Sequence, residues 1–371
     1  MPSAMRAGPA LGRRAPAPVV VHSAPLVLPV CTDPIRDGAV AVRGDRVVKV
    51  DTRASVLSSF RGAAEVRWTG MIVAGLVDAC AAVPTTGPGV TARAGVLSDL
   101  ADPPGVRGIS YVEVTSRSEE EWEAHGRDAV ITALREVDRP CAVGIAAHTR
   151  DPQVLEDVAV LARTFGLRLL VDLDRHSPAA LDEAGVLGPL CHVVCARPLD
   201  PGERKLLRLR KTVVAVCPSP APDVLALLDE GNPVALATGP PLGGTAPDTA
   251  NGVAEPALPA DGLAGPAEPA DGVAGRPAPT GVLAVAGAIR RNARELGVRS
   301  RGLDGKLVRA ATLGGARALG MDRGDGRIGS LAPGTRADFA VFDARGRYPY
   351  AALLSQPPWL GTVVGGAVCV G

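Results

Sequence analysis

The side chains of this 371-residue chain with donor or nucleophilic chemistry are few: five histidines and seven cysteines, among 39 carboxylates. The densest group is Cys191-His192-Val193-Val194-Cys195, whose thiols and imidazole are both zinc donors. Read as one extended strand, it sends Cys191 and Cys195 to one face and His192 to the other, which works against a three-ligand cluster. Cys80 sits in GLVDACAAV, residues 75–83, where a buried strand ends. Cys217 ends another apolar run. As a nucleophile it needs an exposed thiolate beside a base, and without a partner it reads as a small core side chain. His125 and His176 read as surface histidines, and His22 as part of the N-terminal tail.

These residues need elements to position them. Short alternating runs at residues 25–31, 38–42, 46–50 and 64–68, with a Gly44-Asp45 turn, predict a small antiparallel sheet without helices. After Gly70 apolar runs alternate with helical periodicity. Strands are expected at 72–82, 95–100, 109–115, 141–147, 167–173, 191–196, 212–217 and 233–238. Helices are expected at 118–135, 178–184, 201–209 and 222–229. Val154, Leu155, Val158, Leu161, Ala162 and Phe165 mark one face of a further helix. Eight apolar strands interleaved with helices predict a closed (β/α)8 barrel.

Residues 240–281 interrupt this order. They are rich in Pro, Gly and Ala, repeat PADGLAG as PADGVAG, and read as a disordered insertion. Helices return at 282–296 and 303–319, followed by alternation at 329–343 and an apolar strand pair at 361–370. The expected division is a disordered tail (1–18), the N-terminal part of a composite β domain (19–70), a barrel (71–320) carrying the insertion, and the C-terminal part of the β domain (321–371).

A formal charge of +1 and only 3 % aromatic residues argue against a nucleic-acid partner. Four lysines (Lys49, Lys205, Lys211, Lys306) stand against many arginines, a composition that reads as coding bias. No apolar run reaches about 18 residues, the length of a membrane span. The odd cysteine number, with Cys31, Cys141 and Cys369 completing the set, fits thiols in a reducing cytoplasm.

Several segments resemble the metal-dependent amidohydrolase superfamily, especially its imidazolonepropionase and aminodeoxyfutalosine deaminase-like members. ATLGGARALG at 311–320 followed by IGSLAPGTRADFAVFD at 328–343 is the most specific match, and PIRDGAVAV at 34–42 is similar to the superfamily's entry strands. The resemblance implies a metal site at the barrel mouth, and it places Cys80 and Ala82 where a first-strand His-x-His pair would stand. Asp172 and Arg175 fall where the fifth strand would carry a ligand His and a catalytic Glu. Leu199-Asp200 aligns Cys195 with the sixth-strand His. Gly239 replaces the eighth-strand Asp, and His148 resembles a fourth-strand His that contacts substrate.

A catalytic zinc needs about three protein ligands, so the standard centre is expected to be lost. Zinc or iron is expected only if Cys80, Asp172 and Cys195, with His192, form a rewired site. Two readings stand. One is a hydrolase of non-peptide carbon–nitrogen bonds by ancestry; the other is a pseudoenzyme that binds a small molecule or a protein partner, with a homo-oligomer compatible with either.

Overall fold

The computed structural model describes residues 17–81, 87–97, 107–137, 142–217, 223–239, 281–298 and 300–369. Ala82, Cys141, residues 1–16 of the expected tail and 240–280 of the expected insertion lie outside these.

The first sheet is built from both ends of the chain. Its N-terminal strands are β1 (Val19–Leu28), β2 (Ile35–Arg43), β3 (Arg46–Thr52), β4 (Ala64–Arg67) and β5 (Met71–Ala74). The barrel follows, with β6 (Leu76–Asp78), β7 (Val90–Leu97), β8 (Gly108–Val114), β9 (Ala142–Ala147), β10 (Arg168–Asp172), β11 (Cys191–Cys195), β12 (Val213–Val216) and β13 (Val234–Leu236). Then β14 (Phe339–Phe342), β15 (Trp359–Val364) and β16 (Ala367–Cys369) return to the first sheet. Its order is β16-β15-β14-β5-β1-β2-β3, with β4 also paired to β1.

Two expectations for the N-terminal unit change. The sheet is mixed, because β4 and β5 run parallel to β1. A helix, Arg53–Ser59, also interrupts the strands, started by Thr52, whose hydroxyl accepts the Ser55 N–H at 3.4 Å. His22 lies within β1 and is buried, so it is not a tail residue.

The strand expected at 72–82 is two strands, one in each sheet. Gly75 is the switch: a Cβ there would lie 2.1 Å from Thr91 Oγ1, so no side chain fits where β5 hands over to β6. The next strand also begins earlier than expected, at Val90, because Ala92 and Ala94 fill the interior with side chains too small to mark its apolar face.

The second sheet orders its strands from β6 to β13 in sequence, all parallel. Backbone bonds join its two edges into a barrel: Ala79 N–H to Leu236 O at 3.0 Å, and Thr238 N–H to Cys80 O at 3.1 Å. Alternate residues divide two cores. Tyr111, Ala146, Leu170, Val194 and Ala215 pack inside the barrel. Ile145, Leu169, Val193 and Val214 face the helices.

The helices that cover it follow their sequence signals closely. Pro152–Phe165 starts at Asp151, which accepts the Gln153 and Val154 N–H groups, and stops at left-handed Gly166. Val154, Leu155, Val158 and Ala162 are buried, whereas Phe165, expected on the same face, is exposed. The Gly314-Gly315 pair of ATLGGARALG has a steric reason. Added Cβ atoms would lie 2.1 Å from Val234 O and 2.6 Å from Val77 O, so this helix rides directly on the seam between β13 and β6.

Candidate functional site

The mouth of the barrel is where the C-terminal strand ends present interior-facing side chains. Asp78, at the end of β6, is buried and acts as a clasp. Its Oδ1 accepts the Cys80 and Thr238 N–H groups at 3.2 and 3.1 Å, and its Oδ2 accepts the Thr238 hydroxyl at 2.6 Å. Burial raises its pKa to about 6, against the pull of those hydrogen bonds.

Cys80 follows, packed with the interior cluster. Burial pushes its thiol well above the ordinary range, and Cys217, Asp78 and Asp172 push in the same direction. Cys217 also lies in the interior cluster, and its thiol is raised first by burial, then by Asp172 and Asp174. Both thiols are therefore poor nucleophiles at neutral pH. Asp172 is two residues beyond interior Leu170, so it points to the mouth; its Oδ1 accepts the Asp174 N–H at 2.8 Å, and Arg175 Nε lies 3.9 Å from its Oδ2.

Cys195 does not join them. It packs with the helix-facing cluster and donates to Arg197 O at 3.1 Å, so the alignment that set it on a ligand position puts its sulfur on the wrong face. The interior position after Val194 falls to Ala196, which has no donor atom.

His192 faces the interior as its parity predicts, but both ring nitrogens are spent. Nε2 lies 3.0 Å from Ala79 O and Nδ1 lies 3.3 Å from Tyr111 Oη. A proton on Nε2 satisfies both contacts, with the tyrosine donating to Nδ1. Burial lowers its pKa to about 3, so the ring is a neutral strut between β6, β8 and β11.

The positions that the resemblance aligns with metal ligands are spread over this structure. Cys80 and Cys195 face different cores, Ala82 and Gly239 have no side-chain donor, and Asp172 keeps a carboxylate that is largely buried. Among the described residues, no group of three or more His, Cys, Asp or Glu side chains is arranged to hold a metal.

The mouth nevertheless holds one polar pair that sequence reasoning half found. His148, just past β9, is buried, and its Nδ1 lies 2.6 Å from Glu113 Oε1. A ring proton on Nδ1 would bond that carboxylate; Nε2 is buried and has no hydrogen-bond partner. Glu113 went unrecognised. The available signal was an acid at an interior parity of the 109–115 strand, two residues beyond buried Tyr111.

His176, expected at the surface, is also buried. It is hydrogen-bonded to the Thr149 backbone, its Nε2 has no partner, and burial lowers its pKa. Serine-capped helix Pro178–Glu183 begins two residues later.

A parallel barrel closed at its seam, flanked by a mixed sheet drawn from both chain ends, is an amidohydrolase-type hydrolase fold. Residues 284–369 match the model of the amidohydrolase family. The structure is similar to an adenosine deaminase of Xanthomonas campestris with bound zinc, at 18 % identity and TM-score 0.66, covering 96 % of this chain and 94 % of that one. It is also similar to an aminofutalosine deaminase of Helicobacter pylori, at 12 % identity and TM-score 0.68, covering 95 % and 100 %. A third likeness is to an atrazine chlorohydrolase of Arthrobacter aurescens complexed with zinc, at 16 % identity and TM-score 0.67, covering 95 % of each. At such identities the likeness shows the fold. No curated protein matches the chain by sequence. The resemblance read from the sequence agrees with these findings: the chain has the fold of these deaminases and of the chlorohydrolase, and its segment 284–369 matches the amidohydrolase family.

Proposed function

We propose that this protein is a barrel of hydrolase ancestry that no longer runs metal-activated hydrolysis and instead binds a small molecule at its mouth. The observation that carries the reading is the donor set. Where the zinc-bound neighbours imply a metal centre, this chain offers an interior thiol at Cys80, a thiol facing the other core at Cys195, and no donor at Ala82 and Gly239. Cys80, Ala82, Asp172, Arg175, Cys195 and Gly239 are then vestigial positions, and His148 remains a contact for the ligand. The division into tail, composite β domain, barrel and insertion is part of the same reading. The six cysteines among the described residues are all free, which supports a reducing, cytoplasmic compartment. No helix of the described residues is long and apolar enough to cross a membrane.

Elemental analysis of the purified protein tests it. Zinc and iron are expected well below one per chain, with no hydrolysis of cyclic amides or aminopurines. Stoichiometric metal that is lost in C80A or D172N overturns the reading.

One observation favours a second reading, a hydrolase acting on non-peptide carbon–nitrogen bonds without a metal. The Glu113–His148 pair could take a proton from water through Nε2. Turnover that is abolished by H148N and follows a pH profile displaced in E113Q would select it.

A further inference from the structure

The end of the barrel away from the mouth carries a second concavity. A cavity of about 680 Å³ lies between the first residues of β8 and β9, Gly108 and Ala142, and the loop 320–328. Its volume is within the range of small-molecule sites. Ala92, Ala142, Met321 and Ile328 supply apolar wall, and Arg107 and Arg336 supply charge.

Those arginines are only partly answered by acids: Asp45 Oδ2 lies 4.0 Å from Arg336 Nη1, and Asp45 Oδ1 lies 3.4 Å from Arg46 Nε. Arg107 Nη1 and Arg336 Nε are buried without hydrogen-bond partners, as is Nη1 of Arg46. Arg336 Nε does lie 3.3 Å from Asp338 Oδ1, an ion pair that draws on that carboxylate from one side. The same Oδ1 accepts the Gly365 N–H at 2.6 Å, which ties that carboxylate into the sheet. Around Gly365 the two guanidinium groups converge. A Cβ on that glycine would lie 2.9 Å from Arg336 Nη2 and 3.3 Å from Arg107 Nη1. Arg46 reaches the same wall at Gly326, where an added Cβ would lie 2.7 Å from its Nη1.

Buried guanidinium N–H groups without acceptors are costly, and the ligands whose geometry answers a guanidinium fork are carboxylates and phosphates. Arg323 also borders the cavity, and with Arg107 and Arg336 it outnumbers the acids there, Asp325 and Asp338. The geometry points to a binding site for a small organic oxyanion, a phosphate- or carboxylate-bearing molecule, at the N-terminal end of the barrel, with Arg107 and Arg336 as its anion fork. The apolar wall takes the body of the molecule.

Calorimetric titration of the full chain with inorganic phosphate, and separately with acetate, against chloride at matched ionic strength tests the site. Saturable millimolar binding of at least one probe is expected, with the tighter probe identifying the anionic group. R107Q should weaken it about tenfold or more, and R107K by a similar factor, because lysine keeps the charge and loses the fork. Thermal unfolding midpoints of both variants establish that they are folded, and R107K carries the test if R107Q is not. Absence of saturable binding for both probes, or undiminished binding in a folded Arg107 variant, overturns the site. So does binding that survives in R107Q and is abolished by H148N, which would put the anion at the mouth.

Discussion

Cysteine chemistry in this chain is set by which core each thiol faces. Cys191 is raised to about 12 and Cys195 to about 11 by burial against the helices, and Cys80 and Cys217 are raised inside the barrel. At pH 7.5 a thiol with a pKa of 11 is thiolate less than about one part in a thousand. Cys31 and Cys369 are exposed. Iodoacetamide on the native protein should therefore modify Cys31 and Cys369 and spare Cys80, Cys191, Cys195 and Cys217 until urea is added, as read by peptide mass spectrometry. Native labelling of Cys80 at a rate like that of Cys31 would contradict the buried, protonated state. The residue scale is also where the sequence was least legible. His148 could be matched to a motif position, but its partner Glu113 is 35 positions away, and only the pairing of β8 with β9 brings the two together. Cys195 shows the converse: a motif alignment one residue out of phase reverses the face of a strand residue.

At the scale of elements, the seam of the barrel rests on a short clasp. β6 has three residues and β13 has three, so few ladder bonds join them, and Asp78 contributes three further acceptor contacts across the gap and to its own turn. D78A leaves the buried Cys80 N–H without that acceptor, at about 1–3 kcal/mol, and takes one acceptor each from the Thr238 N–H, which keeps Cys80 O, and from the Thr238 hydroxyl, at about 1 kcal/mol each. Urea unfolding of D78A should show a loss of roughly 3 kcal/mol, and T238V, which removes only the hydroxyl contact, roughly 1 kcal/mol. Equal stability of D78A and the parent would mean the seam is held by its backbone bonds alone. Most elements were readable because periodicity and caps are local: the helix at 201–209 is found with those limits, begun by an Asp200–Glu203 capping box. The misses have tertiary causes. Helix Arg53–Ser59 buries only Val56 and so carries no apolar stripe, and the break at Gly75 is dictated by Thr91 from another strand.

Across the whole molecule, buried histidines make stability depend on pH, and His22 and His192, one in each sheet, are strongly depressed. His22 in the composite sheet accepts from Trp68 Nε1 at 3.3 Å, and burial lowers its pKa to about 4. His192 in the barrel is lowered to about 3. A histidine depressed on folding contributes stability that is fully present above the unfolded pKa of about 6.5 and is lost as pH falls below it, because the unfolded chain takes the proton first. Asp78 and Asp338 act in the opposite sense. Burial raises each to about 6, so the folded state takes their protons first and gains relative stability as pH falls from about 6 toward 3.8. The wild-type pH profile is therefore a partial cancellation, and a single variant separates its parts. H192Q should be less stable than the parent at pH 7.5, where it loses the fitted contacts to Ala79 and Tyr111. At pH 4.5 that deficit should shrink by roughly 3 kcal/mol, since the two carboxylates are common to both proteins and drop out of the difference. Urea unfolding of both proteins at the two pH values measures it. A deficit that stays constant would show that His192 takes up its proton in the folded barrel, and that the interior of the barrel is open to water at that depth.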